Sequence, residues 1–127
     1  MQEAIAEYDE AIRRNPMHPL AYYNRGTAYL DLGQYQPALN DYSEAIRVSP
    51  GDAEVYAARA FCYALMGRNG EAQQDVERAV ELGFARTFLE RAIEEVKRRP
   101  QHVAQIKNEG GAKGKMLETI IPSHLLA

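Results

Sequence analysis

The 127-residue sequence contains only one cysteine, three histidines and no long apolar run. A single thiol, Cys62, cannot close an internal disulfide and therefore says little about the redox compartment. His18, His102 and His124 lack the short spacings of metal ligands, and turn or surface positions account for them better. No apolar stretch approaches the roughly 18 residues of a membrane helix, and no charged-then-apolar leader is present. We therefore expect no metal, no membrane contact and a cytoplasmic location.

The sequence also lacks the residue patterns that carry catalysis. The glycine-rich stretch 110–115 has neither the order of a phosphate-binding loop nor a strand before it. Carboxylates pair with arginines at short helical spacing, as Glu90 and Glu94 do with Arg91, which is typical of a solvated helix face. Cys62 falls at a small-residue packing position, which favours a buried and inert thiol. We expect no enzyme and no cofactor.

Charge gives little reason to expect a nucleic-acid partner. Acidic residues outnumber basic ones by 18 to 15. The stretch 97–115 is an exception, with six Lys or Arg against Glu109 alone. No aromatic residue is interleaved there to stack on bases, so nucleic-acid binding through 97–115 is the weaker hypothesis.

The sequence contains an internal repeat. Sliding the sequence by 34 superposes Tyr22 on Tyr56, Arg25 on Arg59, Gly26 on Ala60, Tyr29 on Tyr63, Gly33 on Gly67, Ala38 on Ala72, Asp41 on Asp75 and Ala45 on Ala79. The opposite shift superposes Ala4, Tyr8, Ala11, Ile12 and Pro16 on Ala38, Tyr42, Ala45, Ile46 and Pro50. Several of these positions lie three or four residues apart, as on one face of a helix. A fixed period of this length indicates stacked helical units.

The middle unit resembles the tetratricopeptide repeat, and the chain is similar to a short, bacterial-type array of it. The resemblance rests on Tyr22, Gly26, Tyr29, Ala38, Tyr42, Ala45 and Pro50. The unit departs from the family at Arg25, where leucine is preferred, although the aliphatic stem of an arginine also covers apolar surface. The next unit is looser, with Ala60, Val76 and Phe84 in place of the glycine, the second aromatic and the proline.

The resemblance implies an all-α superhelix of stacked antiparallel helix pairs in residues 1–99. We expect a half repeat at 1–18, repeats at 19–52 and 53–86, and a capping helix at 87–99. Residues 100–127 are expected to form a linker and an apolar C-terminal tail.

The resemblance also implies a peptide-binding groove, because the first helix of each repeat lines the concave side of such arrays. The expected groove residues are Leu20, Tyr23, Asn24, Thr27, Asp31, Glu54, Ala57, Phe61 and Leu65. The expected function is a scaffold that holds a partner protein or peptide. The alternative for Tyr23 and Phe61 is that two and a half repeats give only a shallow groove, in which both side chains merely cover neighbouring turns.

One subtype of the family, which clamps the terminal carboxylates of chaperones, fits poorly. Asn24 matches the central asparagine of that clamp, but Glu54 and Ala58 stand where cations are required. An anion and a methyl group cannot supply charge-assisted hydrogen bonds to a carboxylate.

The N-terminal edge, defined by Ala4, Tyr8 and Ala11, is expected to be open, because its helix lacks the preceding first helix of its repeat. Three explanations compete: a trimmed sequence, a partner or second copy on the edge, or the chain's own tail. The alternative function is therefore a self-associating module that forms homo-oligomers through this edge or through the apolar tail.

Overall fold

The computed structural model describes residues 2–98, which form six helices and no strand. The helices are α1 (Gln2–Arg14), α2 (Pro19–Asp31), α3 (Tyr35–Val48), α4 (Ala53–Leu65), α5 (Asn69–Glu81) and α6 (Arg86–Arg98). The predicted all-α fold of stacked helix pairs is confirmed. The predicted linker and tail at 100–127, and most of the cationic stretch 97–115, lie outside the described residues.

Local sequence signals set where the helices begin. α2 starts at Pro19, whose missing N–H costs nothing in the first turn, and the His18 Nδ1 accepts a hydrogen bond from the Ala21 backbone N–H at 3.2 Å. α4 starts after Asp52, whose carboxylate accepts from the Glu54 backbone N–H at 3.0 Å. Each cap satisfies a donor that has no partner within its helix.

The ends of α2 and α4 repeat one another at glycine. Gly33 and Gly67 both have φ of +76°, a conformation that a side chain disfavours. The next residue then donates its backbone N–H into the last turn, Gln34 to the Tyr29 carbonyl and Arg68 to the Tyr63 carbonyl, at 2.9 Å in both cases. These turns reverse the chain, so α2 and α3 form one antiparallel pair and α4 and α5 the next.

The stack has an inner side lined by the first helices, α2, α4 and α6. These first helices contact one another in succession, whereas the second helices, α1, α3 and α5, pack mainly on the first helices between them. α1 packs on α2 as α3 packs on α4. We call the side of the stack that α2, α4 and α6 form the inner face, because successive helix pairs contact one another through these first helices.

A close contact between Gly26 and Tyr42 explains why the two repeats differ. A Cβ atom on Gly26 would lie 3.0 Å from the Tyr42 ring. That ring is fully buried, and its hydroxyl is hydrogen-bonded to Thr27 at 3.0 Å, so it has little room to move. In the next repeat the smaller Val76 replaces the tyrosine, and Ala60 is accommodated in the core. The two departures from the repeat pattern therefore compensate for each other.

We expect Gly26→Ala to lower the free energy of unfolding by about 1 kcal/mol, because overpacking costs about 1–3 kcal/mol and alanine recovers about 1 kcal/mol of helix propensity. In a Tyr42→Val background the contact with the ring disappears and the Asp41 Cβ at 3.2 Å remains, so the same substitution should cost less. Urea unfolding followed by circular dichroism measures both effects, and an equal change in the two backgrounds would contradict the compensation.

Candidate functional site

The nine predicted groove residues lie on α2 and α4, and their side chains are buried to different depths. Leu20 is 58% exposed and Glu54 is also exposed. The half-buried members are Asn24, Thr27, Asp31 and Leu65. The buried members are Tyr23, Ala57 and Phe61. A ligand on the inner face would therefore contact mainly the residues of α2 and the edge of α4, above a buried floor.

The inner side of α4 is more deeply covered than that of α2. Ala58 and Phe61 are buried, whereas Asn24 and Thr27, which occupy the same positions one repeat earlier, are half-buried. α6 is the cause, because it packs more on α4 than on α5, and its Leu89, Ile93 and Val96 join the same core cluster as Phe61. Within residues 2–98, α6 therefore leaves α2 as the more accessible of the two first helices that carry the predicted groove residues.

Three exposed side chains recur at one repeat position of the first helices. Leu20, Glu54 and Phe88 are spaced by one repeat each and lie near the start of α2, α4 and α6. Phe88 is 43% exposed, and Leu20 and Phe88 are two of the three exposed large apolar residues in 2–98. We call this row the rim. It places a carboxylate between two apolar side chains on successive helices.

The surroundings of Tyr23 are acidic. Burial raises the pKa of Tyr23 well above its ordinary value, the Glu54 and Asp52 carboxylates raise it further, and nearby Thr27 opposes the shift. The Thr27 hydroxyl is hydrogen-bonded to Tyr42, and within 2–98 the buried Tyr23 hydroxyl has no hydrogen bond of ordinary geometry. This part of the inner face therefore favours a positively charged or hydrogen-bonding group over an anion.

Arg25 has a structural role that goes beyond its aliphatic stem. Its Nε and Nη2 donate to the two carboxylate oxygens of Asp41 at 2.8 and 2.7 Å, and its Nη1 donates to Asp9 at 2.8 Å. These bonds connect α2 to both α3 and α1. The bidentate bonds to the buried Asp41 are the first cause of a raised pKa of Arg25, so the guanidinium stays charged.

Arg59 repeats this arrangement in the next unit. Its Nε and Nη2 donate to Asp75 at 2.7 and 2.8 Å, and its Nη1 donates to the Ser43 hydroxyl at 3.2 Å. Ser43 lies one repeat after Asp9, so all three contacts follow the repeat. The sequence signal was the joint recurrence of Arg25 with Arg59 and of Asp41 with Asp75. The recurring arginine and the recurring aspartate predict an ion pair between two helices only when both recurrences are considered together.

Cys62 lies in the core, at the packing position that its place in the repeat predicted. The Cys62 thiol is fully buried and donates to the Tyr35 carbonyl at 3.3 Å. Burial raises its pKa to about 12, so the thiol stays protonated and unreactive near neutral pH. Residues 2–98 contain no group of three or more His, Cys, Asp or Glu side chains that could hold a metal ion. None of the six helices has the length and apolar character that crossing a bilayer requires.

Family comparisons match the first part of the chain. A model described as the tetratricopeptide repeat matches residues 19–52, which comprise α2, α3 and the turns that flank them. A TPR repeat model matches residues 1–33, and a further tetratricopeptide repeat model matches residues 42–74. The three matches together cover residues 1–74, which is more than half of the 127 residues. A comparison with curated proteins found no match.

Proposed function

Because the chain belongs to the tetratricopeptide repeat family, whose helix pairs generally serve as protein-interaction modules, we propose that it is a scaffold binding a partner protein or peptide on its inner face. The partner contacts the α2 side of the face and the rim. Tyr23, Ala57 and Phe61 support this surface from below.

The rim is the observation that carries this proposal. Large apolar side chains that remain exposed on a repeat protein mark sites where another surface can bury them. Leu20 and Phe88 are such side chains, and they occupy the same repeat position on the inner face. An accidental exposure would have no reason to follow the period of the repeat.

The charges of the face favour a partner segment with basic and apolar side chains. Glu54 lies between Leu20 and Phe88 on the rim, and Asp31 follows on α2. The nearby arginines Arg25 and Arg59 are engaged with Asp41 and Asp75. An extended segment that presents a lysine or arginine between two apolar residues matches the row Leu20, Glu54 and Phe88, with each side chain meeting its complement.

A random peptide library selected against the full chain tests this proposal. The enriched peptides are expected to carry a basic residue flanked by apolar ones. Leu20→Ala should weaken their binding about fivefold or more, since a contacting anchor is worth more than about 1 kcal/mol. The free energy of unfolding should change by less than about 0.5 kcal/mol, because Leu20 is exposed.

Met17→Ala provides the matched control. Met17 is also a large exposed apolar residue, 56% exposed, but it lies in the turn before α2 and outside the predicted groove. Isothermal titration with a selected peptide should give the same affinity for this variant as for the wild type. Equal losses for Leu20→Ala and Met17→Ala, or no loss for Leu20→Ala, would remove the inner face as the binding surface.

A further inference from the structure

One cation of the described region has no partner. Residues 2–98 contain eleven lysines and arginines, and ten of them form an ion pair with a carboxylate. The eleventh is Arg91 on α6, which is exposed and forms neither an ion pair nor a hydrogen bond with the other residues of 2–98. Its guanidinium can therefore bind a ligand without breaking a bond within this region.

Arg91 lies next to the rim. It follows Phe88 by three residues, so the two side chains are neighbours on one side of α6. In the repeat it stands one period after Ala57 and two periods after Tyr23, both of which are predicted groove residues. The buried side of α6 consists of other residues, namely Leu89, Ile93 and Val96. The predicted N-terminal edge lies on α1, at the other end of the stack, and its residues are half-buried: Ala4, Tyr8 and Ala11. Arg91 thus extends the rim by one helical turn along α6.

Glu54, the middle residue of the rim, is likewise unpaired. It is exposed, and its carboxylate forms no ion pair and accepts no hydrogen bond within 2–98. The carboxylates of α6 differ, because each pairs with a cation of the same helix, namely Glu90, Glu94 and Glu95. Burial and then the Glu54 carboxylate raise the pKa of Tyr23, which places this carboxylate near α2. Glu54 and Arg91 thus present opposite charges on neighbouring first helices without neutralising each other.

Helix geometry gives the distance between these two charges. α4 and α6 are in contact, and the axes of packed helices lie about 8–10 Å apart. Arg91 stands three residues beyond the repeat position of Glu54, which adds about 4.5 Å along the helix. The two residues are therefore separated by about 10 Å. An extended peptide covers this distance in about three residues, since it rises about 3.3 Å per residue.

We propose that the partner segment pairs an acidic side chain with Arg91 as well as a basic side chain with Glu54, so that the two charges fix the direction in which the segment crosses the first helices. This inference rests on the proposed binding of a peptide by the inner face. The basic and the acidic residue stand about three positions apart, next to the apolar residues that contact Leu20 and Phe88. In the opposite direction each charge would meet a like charge, and such contacts disfavour the wrong register.

The acidic group is a side chain within the segment and not a terminal carboxylate. Arg91 aligns with Tyr23 and Ala57 in the repeat, whereas the chaperone clamp uses the position of Asn24. The residue of α6 at that position is Ala92, which offers no second donor. A segment that is bound through Arg91 alone needs no chain end at α6.

Parallel selections from one random peptide library against three forms of the full chain test the proposal. Peptides selected on the wild type should carry a basic and an acidic residue about three positions apart. Selection on Arg91→Glu should replace the acidic residue with a basic one and keep the other charge. Selection on Glu54→Lys should replace only the basic residue with an acidic one. Both positions are exposed, so the circular dichroism spectra of the variants should match that of the wild type.

Isothermal titration with a selected peptide that has an amidated C-terminus measures the size of the effect. Arg91→Gln should weaken its binding about threefold, and Arg91→Glu about tenfold, because the second change adds a like-charge contact. A peptide in which the basic and the acidic residue are exchanged has the same composition and net charge. It should bind the wild type about tenfold more weakly and should recover its affinity on the double variant Glu54→Lys with Arg91→Glu.

Lys97→Gln is the matched control on α6. Lys97 is also exposed, but it already pairs with Glu94 at 3.7 Å, and it lies outside the repeat positions of the predicted groove. This variant should bind the selected peptide as the wild type does.

Four results would overturn the proposal. They are an unchanged acidic preference on Arg91→Glu, equal binding of the selected and the exchanged peptide, equal losses for Arg91→Gln and Lys97→Gln, and a loss of the acidic preference when the peptide is amidated. In each case a loss of affinity in Leu20→Ala would leave the inner-face proposal standing. If neither Leu20→Ala nor Arg91→Glu changed the affinity of the selected peptide, both proposals would fail.

Discussion

Replacing Asp75 with alanine should lower the free energy of unfolding by about 3 kcal/mol. The substitution removes both acceptors of the Arg59 fork and leaves a guanidinium uncompensated in a largely buried place, a change that typically costs about 3–5 kcal/mol. We expect the lower end of this range because the Arg59 side chain remains 20% exposed and keeps its bond to Ser43. Urea unfolding followed by circular dichroism measures the loss.

Glu81→Ala is the matched control on the same helix. Glu81 also pairs with an arginine, Arg78, at 3.1 Å, but the two side chains are 64% and 47% exposed. Water solvates both charges when the pair is broken, so the expected loss is below about 1 kcal/mol. Equal losses for Asp75→Ala and Glu81→Ala would contradict a special role of the buried pair.

The double variant Arg59→Leu with Asp75→Leu measures the net contribution of the ion pair to the free energy of unfolding, because it leaves no unpaired charge. Replacing both partners of a buried ion pair with apolar residues is often neutral or stabilising. Leucine is also the residue that the family prefers at the position of Arg59. We therefore expect the double variant to be more stable than Asp75→Ala by about 2 kcal/mol or more, which would show that the pair is an alternative to an apolar contact.

The Arg–Asp pairs show which parts of the structure can be predicted from the sequence and which cannot. Periodicity predicted the helices and the glycine turns, because each of these depends on residues close together in the chain, and the family resemblance implied the antiparallel pairing of the helices. It also placed Arg25 and Asp41 at recurring positions. The bond between them joins residues 16 apart on two different helices, so it depends on the packing of those helices and could not be read from spacing within one helix.

The depth of the inner face was harder to predict for the same reason. Leu20 and Phe61 were both predicted to line the groove, and the spacing of residues in the sequence does not distinguish how deeply each side chain is buried. In the structure Leu20 is 58% exposed and Phe61 is 1% exposed. The two residues occupy different repeat positions, since Leu20 aligns with the exposed Glu54 and Phe61 aligns with the half-buried Thr27. Phe61 is covered further because α6 packs more extensively on α4 than α4 does on α2, and packing between helices cannot be read from spacing within one helix.

The second large effect follows from this burial: Phe61→Ala should cost about 3–5 kcal/mol of unfolding free energy. The substitution opens a cavity where α4 meets the core residues of α6. The neighbouring Cys62 thiol, fully buried in the wild type, should then react faster with a thiol reagent. Urea unfolding and the labelling rate measure the two effects, and Leu20→Ala is the control that should change neither.

Phe61→Ala and Leu20→Ala also distinguish a residue that stabilises the inner face from a residue that contacts the ligand. If Phe61→Ala weakens binding of a selected peptide, the loss should shrink when a stabilising osmolyte restores folding. The loss caused by Leu20→Ala should persist under the same conditions, because an exposed anchor acts on the ligand directly. If Phe61→Ala lost peptide binding while keeping wild-type stability, Phe61 would contact the ligand directly. Its side chain would then have to become accessible on the inner face.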